Sequence, residues 1–217
     1  MTPGRACPVV AAGWADLDVL SLMIAEAFHD LAPSRWLIAD PDARRAIFPG
    51  YFRIYTEHAL ASGVIHTTPD RAAAALWLPA GPEIPSEPPG YLARLAAATA
   101  PWTERFEAFD AALAARHPAG FAHHHLALLA VRPGWQGQGM GTALLRAYHQ
   151  ILDRDRMPAY LEASGPRTRC IYVHHGYTDQ GPPIQLPGGP EMYPMVRRPR
   201  PRRGPPQRPG TCRASAG

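Results

Sequence analysis

The chain has 217 residues, 46% of them hydrophobic, which is enough for one domain with a real core, and no apolar run reaches membrane-spanning length. Its net charge of +4 points to polyanions only until the charge is located: residues 197–217 hold seven arginines and no acid, so residues 1–196 carry −3. The absence of lysine excludes Schiff-base chemistry and a Walker-type phosphate loop, and three scattered cysteines (Cys7, Cys170, Cys212) exclude a disulfide framework or a cysteine-pair zinc site.

The division expected is a single folded domain over 1–196 and a disordered tail, "RRPRPRRGPPQRPGTCRASAG", over 197–217. With the basic charge confined to that tail, a nucleic-acid partner is disfavoured. The opening "MTPGRACPVVAAGW" lacks the pattern of a signal peptide, so a cytoplasmic protein without a membrane association is expected.

In chain order, "ADLDVLSLMIAEAFHD" reads as a helix, with Asp16 at its N-cap and Leu17, Leu20, Ile24 and Phe28 on one face. "APSRWLIADPD" reads as a turn-rich loop holding Trp36. A second helix is expected over about 43–61, ended by Gly63, with Tyr51 and Tyr55 near one face. "GVIHTT" and "RAAAALWLP" read as paired strands around the Pro69-Asp70 turn. The segment from Tyr91 to Pro118 is helical, broken or restarted at Pro101.

"HLALLAV", 125–131, is a continuous apolar run of the kind found in a strand covered on both faces. A glycine-rich loop follows, and then Met140, Ala143, Leu144, Ala147, Tyr148 and Ile151 at helical spacing. "AYLEAS" is another strand. "PRTRCIYVHHGY" is a short helix with Pro166 in its first turn, and short strands end the domain. Such an order is that of a single α/β domain with a mixed sheet.

A strand running into a glycine loop and then a helix makes an anion site, because bare backbone amides and the helix dipole converge on it. Glycines at 137, 139 and 141 do not match the first, third and sixth places of a dinucleotide fingerprint. The motif V-x-P followed by Q-G-x-G-x-G (Val131 to Gly141) instead resembles the pyrophosphate loop of the Gcn5-related N-acetyltransferases (GNAT). "YLEASGPRTRCIYVHHGY" is similar to the family segment P-R-N-R-x-x-Y-x-x-x-G-F, and the resemblance covers most of residues 14–198. Within the family it lies nearest the subgroup that includes puromycin N-acetyltransferase and its actinobacterial relatives.

The resemblance implies a GNAT fold, with a mixed central β-sheet flanked by helices. It also implies transfer of acetyl from acetyl-CoA to an amine, with no metal. Leu129, Ala130 and Val131 would pair with pantetheine as an added strand. Gln136, Gly137, Gln138, Gly139, Met140, Gly141 and the Thr142 hydroxyl would hold the pyrophosphate, with Arg132 adding charge. Thr168 stands where the family has asparagine, so its bond to the donor would be weaker or pass to Arg169 or a water.

Tyr172 matches the family tyrosine that protonates the departing thiolate. The base is Glu162, His125 or a water. Phe28, Trp36, Tyr51 and Tyr55 are candidate acceptor walls, for a small-molecule amine in the first reading. A protein N-terminus or lysine, and a non-catalytic acyl-CoA-binding module, are the alternatives. A monomer or homodimer is expected. The run His123–His125 cannot surround one metal, because neighbours on a strand face opposite ways.

Overall fold

The computed structural model describes residues 7–84 and 87–200; most of the expected tail therefore lies outside the described residues. The helices are α1 (Leu17–Phe28), α2 (Ala32–Leu37), α3 (Pro41–Ser62), α4 (Tyr91–Thr99), α5 (Thr103–Ala114), α6 (Met140–Asp155) and α7 (Pro166–His174). The strands are β1 (Val10–Ala11), β2 (Val64–Thr67), β3 (Ala73–Ala80), β4 (His123–Val131), β5 (Ala159–Ala163), β6 (Thr178–Asp179), β7 (Ile184–Gln185) and β8 (Glu191–Arg197). Their order in the sheet is β1-β2-β3-β4-β5-β8-β6, with β7 also paired to β8. Every pairing is antiparallel except that of β4 with β5. The fold is the mixed α/β sheet the sequence implies.

The period-2 alternation of β3 divides the core. Ala74, Leu76 and Leu78 face α1, α3, α4 and α5, while Ala73, Ala75 and Trp77 face α6. On the first side Leu20 and Ile24 of α1 are fully buried, each worth about 1.5–3 kcal/mol in transfer terms. On the second, Trp77 stacks on Tyr148 at 4.5 Å between ring centres.

Strand β4 changes allegiance midway. Leu126 pairs with Trp77 but Leu128 pairs with Leu76, so Ala127 is an extra, bulged residue. Leu126 consequently packs against α6, whereas Leu128 and Ala130 turn to the other face. A bulge bends a strand and sharpens its twist. Here it coincides with the end of the β4–β5 pairing, which involves only His124 with Ala159 and His125 with Tyr160. Beyond it the two strands part.

Several sequence expectations are corrected. The segment expected to be a loop around Trp36 contains the short helix α2, with Pro33 in its first turn, where a missing N–H costs nothing. Asp16 stands at the N-cap position of α1 as expected, but its side chain makes no capping bond to the helix. Its carboxylate accepts from Gly13 N at 3.0 Å and Arg71 Nε at 2.8 Å, closing a 3-10 turn ahead of the helix. β8 runs through Arg197, whose buried guanidinium donates to Asp153 at 2.7 Å, one residue past the expected boundary.

Behind α3 lies a chain of hydroxyls: Tyr51 donates to Tyr55 at 3.3 Å, Tyr55 lies 2.9 Å from Tyr91, and Tyr91 donates to Asp110 at 2.6 Å. Burial pushes the Asp110 carboxyl up to about 6, against the hydrogen bond from Tyr91. The folded chain thus holds this proton more tightly than the unfolded one, for which Asp titrates near 3.9. The group costs nothing below about pH 4, and its destabilisation grows as pH rises to about 6, reaching about 3 kcal/mol at most above that. Asp110→Asn is expected to raise stability in urea by about 1–3 kcal/mol at pH 7.5 and to change it little at pH 4. An equal effect at both values would reject this account.

Candidate active site

The parting of β4 and β5 opens a cavity of about 590 Å³ that runs through the sheet. At one end are the glycine loop and the start of α6, in the middle His125, Glu162 and Tyr172, and at the other Phe28, Tyr51, Tyr55 and Phe109.

The loop is built for close approach. Gly137 and Gly139 take φ of +79° and +85°, a region in which a Cβ is strained, and nothing lies within 4 Å of where one would project. Gly134, which the sequence reading passed over, does the same at +82°. Gly141 is different: it sits in the first turn of α6, and a Cβ there would make ordinary contact with Leu129 and Val131. No turn or cap hydrogen bond uses the amides of Gly137 to Thr142. The free donors therefore face outward at the head of a 16-residue helix, as an anion requires. Gln136 serves the loop itself: its side chain donates to Val131 O at 3.1 Å and accepts from Gly134 N at 2.8 Å.

The other donor-side residues divide. Leu129, Ala130, Val131, Gln136, Gly137, Gly139, Met140, Gly141, Thr142 and Thr168 line the cavity. Thr142 Oγ1 also lies 3.3 Å from His175 Nε2, and Thr168 Oγ1 donates to Gly165 O at 2.9 Å. Gln138, Arg132 and Arg169 do not line it. Arg169 is held by Asp179, with Nε donating at 2.7 Å, so its charge is turned away.

Gly139→Ala isolates what the loop contributes. A forced left-handed alanine costs about 1–2 kcal/mol, and misplaced amides are expected to weaken CoA binding about tenfold. Titration calorimetry checks both parts, and wild-type affinity would show that the loop does not contact the donor.

At the centre, the three consecutive histidines take separate partners. His123 Nδ1 lies 3.0 Å from Phe121 O, His124 Nδ1 lies 2.9 Å from the Tyr148 hydroxyl, and His125 Nε2 lies 2.9 Å from Glu162 Oε2. Glu162 is nearly enclosed, its side chain 6% exposed. Burial alone would raise its pKa, but the imidazoles of His125 and His117 outweigh that and hold it down to about 2. Glu162 is therefore a fixed anion to which His125 presents its Nε2–H, so Nδ1 is the ring nitrogen that can carry the lone pair. The two residues offered separately as bases form one unit.

His117, on the segment after α5, was missed. Its Nδ1 stands 3.8 Å from Glu162 Oε1. Only the partner 45 positions away marks it, and no local pattern signals that. Tyr172 is half-buried and lines the cavity, its hydroxyl without a hydrogen bond among the described residues. Burial holds its phenol well above the usual tyrosine range, so it stays protonated at neutral pH.

At the far end Phe28, Tyr51 and Tyr55 line the cavity, together with Leu31, Leu37, Phe109, Leu113 and Met192, which the sequence reading did not single out. Trp36 does not. Its ring covers Gly189, where a Cβ would meet it at 2.3 Å, and its Nε1 donates to Pro187 O at 3.0 Å. It clamps the turn between β7 and β8.

A sheet split beside a glycine loop that heads a helix leaves room for an extended ligand that carries an anion. Residues 96–198 match the family model described as an acetyltransferase (GNAT) domain. Over those residues the chain carries the domain of the Gcn5-related N-acetyltransferase superfamily, a family whose donor is acetyl-CoA.

Among solved structures, the fold is similar to a Corynebacterium glutamicum protein described as histone acetyltransferase HPA2 and related acetyltransferase. That match has 24% identity and a TM-score of 0.68, over 90% of this chain and 98% of the other. Arylalkylamine N-acetyltransferase 2 from Aedes aegypti matches at 11% identity and a TM-score of 0.58, over 89% and 99% of the two chains. An agmatine N-acetyltransferase matches at 14% identity and a TM-score of 0.53, over 88% and 98%. Among the described residues no helix is long and apolar enough to cross a membrane.

Proposed function

We propose that this chain transfers acetyl from acetyl-CoA directly to the amine of a small molecule carried on an apolar or aromatic body. The observation that carries this reading is the single cavity joining the glycine loop to an aromatic pocket, with Tyr172 and the His125–Glu162 pair between them.

The pyrophosphate rests on the amides of residues 137–142, and the pantetheine arm lies along Leu129 to Val131 in the space left by β5. The acceptor enters as an ammonium from the side of Phe28 and Tyr55. His125 Nδ1 takes a proton, and the freed nitrogen attacks the thioester carbonyl. His125 passes that proton to solvent; the C–N bond forms, the nitrogen gives its second proton to the freed His125 Nδ1, and the C–S bond breaks. Tyr172 donates a proton to the departing sulfur and is reprotonated in turn. One proton in net leaves to solvent. The reaction needs no metal.

Among the described residues the acceptor end offers aromatic rings, aliphatic side chains and the hydroxyls of Ser34, Tyr51 and Tyr55, and the one lining carboxylate, Glu162, lies in the middle of the cavity and is taken up by His125. That favours a mono-amine with an apolar body over a polyamine or a basic peptide.

The test is incubation with acetyl-CoA and a panel of arylalkyl and alkyl amines, polyamines, and peptides with free N-termini or lysines, reading CoA thiol release and acetylated product by mass spectrometry. Transfer to apolar amines is expected. Transfer only to peptides would replace the acceptor, and tight acetyl-CoA binding with no transfer would make the chain a binding module.

A further inference from the structure

We propose that His117, His125 and Glu162 form a site for a divalent ion of zinc type, and that its occupancy switches the transferase off. One nitrogen of each ring and a carboxylate oxygen all lie within 4.8 Å of one another. His125 Nε2 is 2.9 Å from Glu162 Oε2, and His117 Nδ1 is 3.8 Å from Glu162 Oε1. Ligands bonded at about 2.1 Å around one tetrahedral ion stand about 3.4 Å apart, so small side-chain movements bring this set onto a metal.

Two further observations point to a cation. The first is Glu162 Oε1, a carboxylate oxygen in an almost enclosed side chain, which has no hydrogen-bond partner among the described residues. A buried acceptor left unsatisfied is costly. The second is the direction of the hydrogen bonds behind His117. Phe121 O can only accept, so His123 Nδ1, 3.0 Å away, carries the proton. In a neutral His123 the other nitrogen is then an acceptor, and His117 Nε2, 3.1 Å from it, must donate. A neutral His117 is left with its lone pair on Nδ1, the atom that faces Glu162. Lone pair against carboxylate is repulsive, and a positive charge at that point, a proton on Nδ1 or a metal ion, removes the conflict.

The same chain gives a ligating histidine the backing it commonly has, its second nitrogen donating to a neighbour anchored on a backbone carbonyl. Two imidazoles and one carboxylate suit zinc, cobalt or nickel ahead of magnesium or calcium. His125 and Glu162 both line the cavity, so a fourth position opens toward the acceptor. An ion on His125 Nε2 leaves the ring's proton on Nδ1, so the lone pair that the amine's proton needs is no longer there. This loss of activity rests on the transfer proposed above, whereas the binding of the ion does not.

The experiment therefore begins without acetyl-CoA or amine. The full chain, stripped of metal by a chelator, is titrated with Co²⁺ followed by its visible absorption and with Zn²⁺ by competition. One equivalent with the intense spectrum of low-coordinate cobalt is expected. Glu162→Gln and His117→Ala should each weaken affinity by about 100-fold, and His174→Ala, on an exposed part of α7, should leave it unchanged. Circular dichroism of each variant separates lost ligands from lost fold, and the wild-type cobalt spectrum reports the ligand set without any variant. Absence of binding to the wild type, or wild-type affinity in both ligand variants, would overturn the site. Once an acceptor is known, Zn²⁺ should abolish transfer and a chelator restore it; binding without inhibition would overturn the switch while leaving the site.

Discussion

Replacing Tyr172 by phenylalanine is expected to lower kcat by about 10²–10³-fold and to leave CoA affinity within about twofold. In free solution a thiol titrates near 8.5 and a phenol near 10, so proton transfer from tyrosine to thiolate is only modestly uphill. Burial raises both, because each anion loses its water in the same cavity, and the difference between them survives. The phenol consequently waits as an acid and is drawn on only when the C–S bond opens. The substitution is a clean one: the hydroxyl has no hydrogen bond to lose among the described residues, so thermal stability should change by less than about 0.5 kcal/mol. Steady-state kinetics with the best acceptor, beside CoA calorimetry, reads both quantities. Unchanged kcat would hand the proton to water.

The second large effect is expected at Glu162. Glu162→Gln keeps the shape and removes the charge that fixes His125 with its Nε2–H inward. The loss in kcat/KM for the amine should be about a hundredfold or more, with donor affinity again preserved. His125→Gln should cost about as much. The double variant should cost little beyond either one, because residues acting as a unit are not additive. Losses that multiply would mean that the carboxylate and the imidazole act separately, and the pairing inferred from their 2.9 Å contact would fail as a mechanism.

These two residues show how much of the site was legible in the sequence. Tyr172 and the glycine loop were readable because their meaning is local: a motif carries its own spacing, and the helix, loop and strand around it have their own periodicity. The mixed sheet and most helices followed for the same reason. Helix α2 was not readable, since Pro33 looks like a loop residue unless one knows that it occupies a first turn. His117 was invisible because its partner is remote in the chain. Trp36 was misassigned because an aromatic near a pocket and an aromatic under a glycine turn have the same sequence signature. The extra residue at Ala127 left no mark either, because an apolar run reads the same with or without a change of face.

That bulge has a consequence for the free protein. Past it, β4 presents a free edge in the middle of the sheet, where an unpaired backbone is protected from other chains but not from water. The donor's amide-bearing arm would then complete the sheet as well as fill a pocket. Amide hydrogens of Leu128 to Val131 on that edge should exchange with solvent far faster in the free chain than with CoA bound, and melting temperature should climb with the logarithm of donor concentration. Such a chain finishes folding only when loaded, and its half-life in a cell would follow the supply of its own substrate.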